Sequence, residues 1–93
     1  MYEVTTSKQF RTSFKKLKKS GNFKSQEFEL VIEFLVQGKD LPQKYHDHFL
    51  KGNLLGKKEC HITNNMLLIY DRDDSSKTIT LMDIGTHAKL FGL

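Results

Sequence analysis

The stretch from Tyr45 to His61, YHDHFLKGNLLGKKECH, concentrates the side chains of this chain that can move a proton or meet a phosphate. It holds His46, His48 and His61 beside Lys51, Lys57 and Lys58, while the fourth histidine, His87, sits in GTHAKLFG toward the C-terminal end. An imidazole titrates near neutral pH, so one histidine can accept a proton and another can give one. Ammonium groups can balance charge that builds on a phosphate. RNA cleavage by a neighbouring 2′-hydroxyl asks for just these parts: a base for that hydroxyl, an acid for the leaving 5′-oxygen, and cations. Each positioned acid or base is worth roughly 10²–10⁴-fold. Aromatic side chains nearby would stack exposed bases. Taken singly, each histidine also fits an ordinary surface or hydrogen-bonded residue.

Other chemistries fit less well. In an extended segment His46 and His48 share a face, and His61 would make a third metal ligand. No carboxylate or cysteine falls at a matching spacing, and Lys51, Lys57 and Lys58 would repel a cation, so neither a metal nor another cofactor is expected. The chain has no glycine-rich phosphate loop, CxxC, GxSxG or HExxH. Cys60 and His61 are neighbours on a strand-like segment, point to opposite faces and cannot pair as nucleophile and base. Cys60 reads as a small buried residue.

Ninety-three residues make a single domain, 1–93, with 38% hydrophobic and 28% charged residues, a globular composition. The net charge is +4. It is concentrated between Glu3 and Glu27, a segment without acids that carries Lys8, Arg11, Lys15, Lys16, Lys18, Lys19 and Lys24. Such a block suits a polyanion or an acidic protein, or is simply a solvated helix face. The single cysteine excludes an intramolecular disulfide and fits a reducing cytoplasm. Met1 to Phe10 lacks the apolar run of a signal peptide, and no stretch approaches the ~20 apolar residues of a membrane span, so no membrane role is expected.

The elements that must position the histidines follow from spacing. Tyr2 to Thr5 reads as a strand. Ser7 is a good N-cap for a helix whose Phe10, Phe14 and Leu17 face inward and whose Lys8, Arg11, Lys15 and Lys19 face out. Ser20-Gly21-Asn22 ends it. Ser25 caps a second helix, with Glu27 and Glu29 in its first turns and an apolar stripe of Phe28, Leu30, Val31, Phe34 and Leu35. Gly38 and Pro42 stop it. Leu41 to Gly56 is a long functional loop. Lys57 to Thr63 reads as a strand with Lys57, Glu59, His61 and Thr63 on one face and Lys58, Cys60 and Ile62 on the other. Asn64-Asn65 makes a hairpin turn through asparagine's tolerance of positive φ. Met66 to Tyr70 is a central strand, Asp71 to Lys77 a polar turn, Thr78 to Ile84 a last long strand, and His87 to Phe91 a short tail. The order predicts an α+β domain: an N-terminal strand and a helical hairpin on one face of a mostly antiparallel sheet of about four strands, the other face free to carry His61.

Several of these residues form a larger pattern: Tyr45-x-Asp47-His48-x-Leu50-x-Gly52, Gly56-x-Lys58-Glu59-x-His61, Leu67-Leu68-Ile69-Tyr70 and Gly85-Thr86-His87-x-x-Leu90-Phe91-Gly92. It resembles the YafQ type of bacterial toxin, within the RelE/ParE superfamily of type II toxin–antitoxin systems, closely over the second half and in layout over the first. The resemblance implies a RelE-like fold and a ribosome-dependent, metal-independent endoribonuclease that cuts mRNA and so inhibits translation. It implies a cognate antitoxin that silences the toxin, and operator DNA met only through the antitoxin complex. The family's catalytic histidines carry over onto His48, His61 and His87, with His48 or His61 as base and His87 as acid. Lys58 stands where a basic residue is usual and would stabilise charge together with Lys51. Lys51 and Lys57 would bind substrate, and Phe91 matches an aromatic beside the scissile nucleotides.

Two positions depart from the pattern. Asn65 stands where an acid is usual; its amide can bind substrate by a hydrogen bond but cannot act as a base. Asp83 stands where an arginine is usual, and it would either orient His61 or His87 in place of the missing acid or weaken the enzyme. The competing reading is therefore a weakened or non-catalytic homologue that binds antitoxin and serves operator control. The gyrase-inhibiting branch of the superfamily lacks this histidine set.

Overall fold

A computed structural model describes residues 1–21 and 23–91. Asn22 of the expected helix-ending turn and Gly92 of the C-terminal motif lie outside the described residues. Five strands form one sheet in the order β1-β5-β4-β3-β2: β1 Glu3–Thr6, β2 His48–Phe49, β3 Lys58–Thr63, β4 Met66–Asp73 and β5 Thr78–Gly85. The apolar run Met66 to Tyr70 lies in the central strand, as expected. β1 runs parallel to β5 and the other three pairings are antiparallel. The fifth strand, absent from the sequence-based expectation, is the two-residue β2 inside the long loop.

Helices α1 (Lys8–Lys19) and α2 (Ser25–Val36) cover one face. Ser7 caps α1, its hydroxyl accepting the Phe10 N–H at 3.0 Å. Ser25 does not cap α2: it is the first helical residue, Lys24 takes the cap position, and no side chain bonds there. Phe10, Phe14, Phe23 and Phe28 form an aromatic cluster with ring centroids 5.2–6.3 Å apart. With Val31 and Leu35 the cluster packs on Cys60, Ile62, Leu68, Tyr70, Ile79 and Leu81 of the sheet. Leu30 faces outward, 45% exposed, so the apolar stripe of α2 is narrower than its sequence suggests.

The opposite face of the sheet is not free. Leu67 and Ile69, which alternate with the core residues of β4, are also buried. A short third helix, α3 (His87–Phe91), lies against this face. A side chain added at Gly85 would stand 3.3 Å from the Lys89 side chain and 3.6 Å from that of Leu90. Gly85 pairs with Leu67, and Leu67 with His61, so α3 sits on the face that carries His61. The Asn64-Asn65 turn forms, but neither asparagine has a positive φ; a register shift between His61 and Thr63 absorbs the twist instead.

Candidate functional site

The pairing of β2 with β3 builds the site. The connection between them turns through Gly52 and Gly56, both at positive φ, and the Leu50 N–H donates to Lys57 O at 2.8 Å. This register sets His48 opposite Glu59. On β3, Glu59 and His61 share a face, as the alternation predicts. One Glu59 oxygen lies 3.2 Å from His48 Nε2 and 3.3 Å from His61 Nε2. Glu59 itself is only 5% exposed, beneath the two imidazoles. The His46 ring stands 5.3 Å from that of His61. Sequence reasoning missed Glu59 because the residue sits one strand away from His48; the signal that could have found it was its placement on the His61 face.

The contacts constrain where protons sit. A carboxylate only accepts, so both imidazoles turn an N–H, not a lone pair, toward Glu59. The Nδ1 of His48 lies 3.2 Å from the Phe49 carbonyl oxygen, a second acceptor. Nδ1 of His61 has no partner among the described residues, so in a neutral ring that donates to Glu59 through Nε2 it carries the lone pair.

His87 reaches this face from the other end of the same row. His61, Leu67 and Gly85 are paired neighbours on three adjacent strands, so Gly85 lies about 10 Å from His61 at ~4.8 Å per strand. His87 follows two residues later, exposed, with its ring 5.0 Å from Phe91. Among the described residues no hydrogen bond, ion pair or ring contact joins His87 to His48 or His61. The structure thus brings His46, His48 and His61 together and leaves His87 and Phe91 on α3 beside them.

The lysines are placed differently from the cationic hollow expected. Lys58 points to the helix-covered face, where its Nζ lies 2.7 Å from Asp47 and 4.9 Å from the Phe49 ring centroid. Its charge is already matched and directed away from Glu59. Lys57 pairs with Asp71 at 3.5 Å, and Lys51 is exposed without an ion-pair partner among the described residues. Asn65 is exposed in its turn. Asp83 does not orient either histidine: its carboxylate accepts the Ile84 N–H at 2.8 Å.

The same three side chains correct the argument against a metal. Glu59 supplies the carboxylate thought missing, and the ligand atoms of His48, Glu59 and His61 all lie within 4.8 Å of one another. Lys58, expected to repel a cation, faces the other way.

Comparison with known proteins gives a consistent picture. A family model described as the bacterial toxin of type II toxin–antitoxin systems, YafQ, matches residues 2–92. The mRNA interferase toxin YafQ of Escherichia coli strain K12 is 40% identical over 52 residues, which span 56% of this chain and 54% of that protein. The structure of a metal-bound toxin from Helicobacter pylori superposes with a TM-score of 0.88 at 35% identity, over 98% of this chain and 100% of that one. The toxin in the E. coli DinJ–YafQ complex gives 0.88 at 28% identity, over 99% and 100%.

Proposed function

Because the chain belongs to the YafQ family of bacterial toxins of type II toxin–antitoxin systems, we propose that it is an mRNA endoribonuclease acting on translating ribosomes in the cytoplasm and silenced by a cognate antitoxin. The E. coli relative named mRNA interferase supports the activity, and the DinJ–YafQ complex supports an antitoxin partner. Operator DNA would be met only through that complex. The observation that carries the reading is the convergence of His48 and His61 on buried Glu59.

In this mechanism the free Nδ1 of His61 takes the 2′-hydroxyl proton. Glu59 fixes the ring and stabilises the imidazolium that forms, as a carboxylate does behind any histidine base. His48 acts in this mechanism in its protonated form and supplies the positive charge that Lys58, held by Asp47, does not. His87 protonates the leaving 5′-oxygen, and Phe91 beside it stacks a base. Lys51, Lys57 and Asn65 line the approach of the phosphate chain, and the exposed lysines of α1 meet ribosomal RNA. Mapping cleavage on translating ribosomes tests this. Cuts should appear with the wild type and disappear with His61→Ala while antitoxin binding persists. Antitoxin binding without any cleavage by the wild type would favour the non-catalytic binding module.

A second reading is favoured by the carboxylate and two imidazoles of the same site and by the metal-bound H. pylori structure. His48, Glu59 and His61 suit a zinc or copper ion in ligand type and number. Bound there, a metal would tie up the imidazole nitrogens and so hold the nuclease inactive. Titrating Zn²⁺ or Cu²⁺ while following the histidine NMR signals checks this reading: loss of the His48 and His61 signals at one equivalent supports it, and unmoved signals refute it.

A further inference from the structure

Asp47 lies between the two loop histidines and points the other way. Its Oδ1 accepts the Tyr70 hydroxyl at 2.5 Å, and its Oδ2 meets Lys58 Nζ at 2.7 Å. Tyr70 is 1% exposed on the central strand, and the side chains of Asp47 and Lys58 are 16% and 19% exposed. Burial, and then the bond to Asp47, push the Tyr70 phenol well above its usual range, so it remains a donor. On the other side of His46 a second anchor holds: Tyr45 is buried, its hydroxyl donating to Glu27 at 3.0 Å. Between the anchors His46 is held at φ 49° and ψ 44°, a left-handed conformation that costs a non-glycine residue of order 1–3 kcal/mol and survives only where its surroundings dictate it.

We propose that Asp47, bridged to Tyr70 and Lys58, is a positioning residue that fixes the loop so that His48 meets Glu59 and His46 meets His61. This rests on the nuclease reading for its consequence in catalysis, though not for its geometry. β2 is only two residues long, and two ladder positions cannot by themselves set a loop against a sheet edge. The inward grip of Asp47 supplies the missing constraint. It also accounts for Lys58, whose ammonium serves the loop rather than the substrate.

Two variants each break one of the bonds. Tyr70→Phe removes the donor and keeps the Lys58 pair; Asp47→Asn keeps an acceptor for Tyr70 and removes the charge that holds Lys58. Imidazole NMR spectra give a readout independent of activity. The His46 and His48 signals should shift or broaden in both variants while that of His87 stays in place. Unchanged His46 and His48 signals in a folded variant would overturn the proposal. In single-turnover cleavage on ribosomes, kcat should fall about tenfold in each variant with KM within about twofold. The double variant breaks both bonds and should lose more than either single one. A double variant no worse than the single ones, or losses that fall on KM, would also overturn it. Should Tyr70→Phe fail to fold, Asp47→Asn decides alone. If the wild type does not cut RNA, the nuclease reading fails and the NMR comparison still judges the anchor.

Discussion

Replacing Glu59 by glutamine isolates the charge of the buried carboxylate. The side chain keeps its size and an oxygen where His48 and His61 now find one, at 3.2 and 3.3 Å, so the ring positions should survive. What changes is the strength of the bond once an imidazole carries a proton. A hydrogen bond involving a charged group is worth about 1.5–3 kcal/mol, against about 1 kcal/mol for a neutral one. The loss to the transition state is therefore about 0.5–2 kcal/mol for the histidine that gains the proton. At ~1.4 kcal/mol per factor of ten, kcat should drop about tenfold. KM should stay within about twofold, because Glu59 is 5% exposed beneath the rings and offers substrate little surface. Glu59→Ala removes the acceptor as well as the charge and should cost roughly 10²-fold or more. The assay is single-turnover cleavage of mRNA on saturating ribosomes. A Glu59→Gln variant with wild-type kcat, or one whose whole defect lies in KM, would refute the role given to the carboxylate.

Stability should fall at alkaline pH. Burial raises the ionisation of both Cys60 and Tyr70 in the folded state above their unfolded values of about 8.5 and about 10. Their contribution is complete below those values and is lost as pH rises through them, at ~1.4 kcal/mol per pH unit for Cys60 and about twice that once Tyr70 joins. Denaturant midpoints between pH 8 and 11 measure it, and a flat profile would contradict it. Gly38→Ala should lower the melting temperature by roughly 10 °C, since strain and repacking together cost about 2 kcal/mol or more. Its Cβ would stand 2.7 Å from a Tyr2 ring atom at φ +70°, and that ring is held by Asp74 at 2.6 Å and by Arg72. A drop of about 2 °C or less would show that the ring can move aside. Replacing exposed Lys15 and Lys19 of α1 by glutamine should flatten the dependence of log affinity for ribosomal RNA on log salt by ~0.7–0.9 per lost phosphate contact. An unchanged slope would return the basic helix to a solvated face.

Local pattern carried the fold a long way. Phe10, Phe14 and Leu17, then Phe28, Val31 and Leu35, mark helix faces that the structure packs on the sheet, and Met66 to Tyr70 lies in the strand at its centre. The alternation of β3 also separated Glu59 and His61 from Lys58 correctly. What local pattern does not reach is pairing between distant segments. A two-residue strand has no periodicity to detect, and β2 became visible only through its partners on β3.

That gap explains why the charges of the site were harder to read than its histidines. A basic residue beside an imidazole in sequence suggests a cation beside it in space, yet on a strand neighbours face opposite ways. Lys58 therefore leaves the histidine face, and the acid next to it arrives. An acid under two imidazoles does a different job from a lysine near a phosphate. One of its oxygens lies within hydrogen-bond reach of Nε2 of both rings and so orients them. The same alternation makes Asp47 and His48 turn apart, one gripping Tyr70 and Lys58 below the sheet, the other meeting Glu59 above it. The site is thus arranged by which face each residue takes, and for the loop the register of β2 on β3 and the inward grip of Asp47 decide that together.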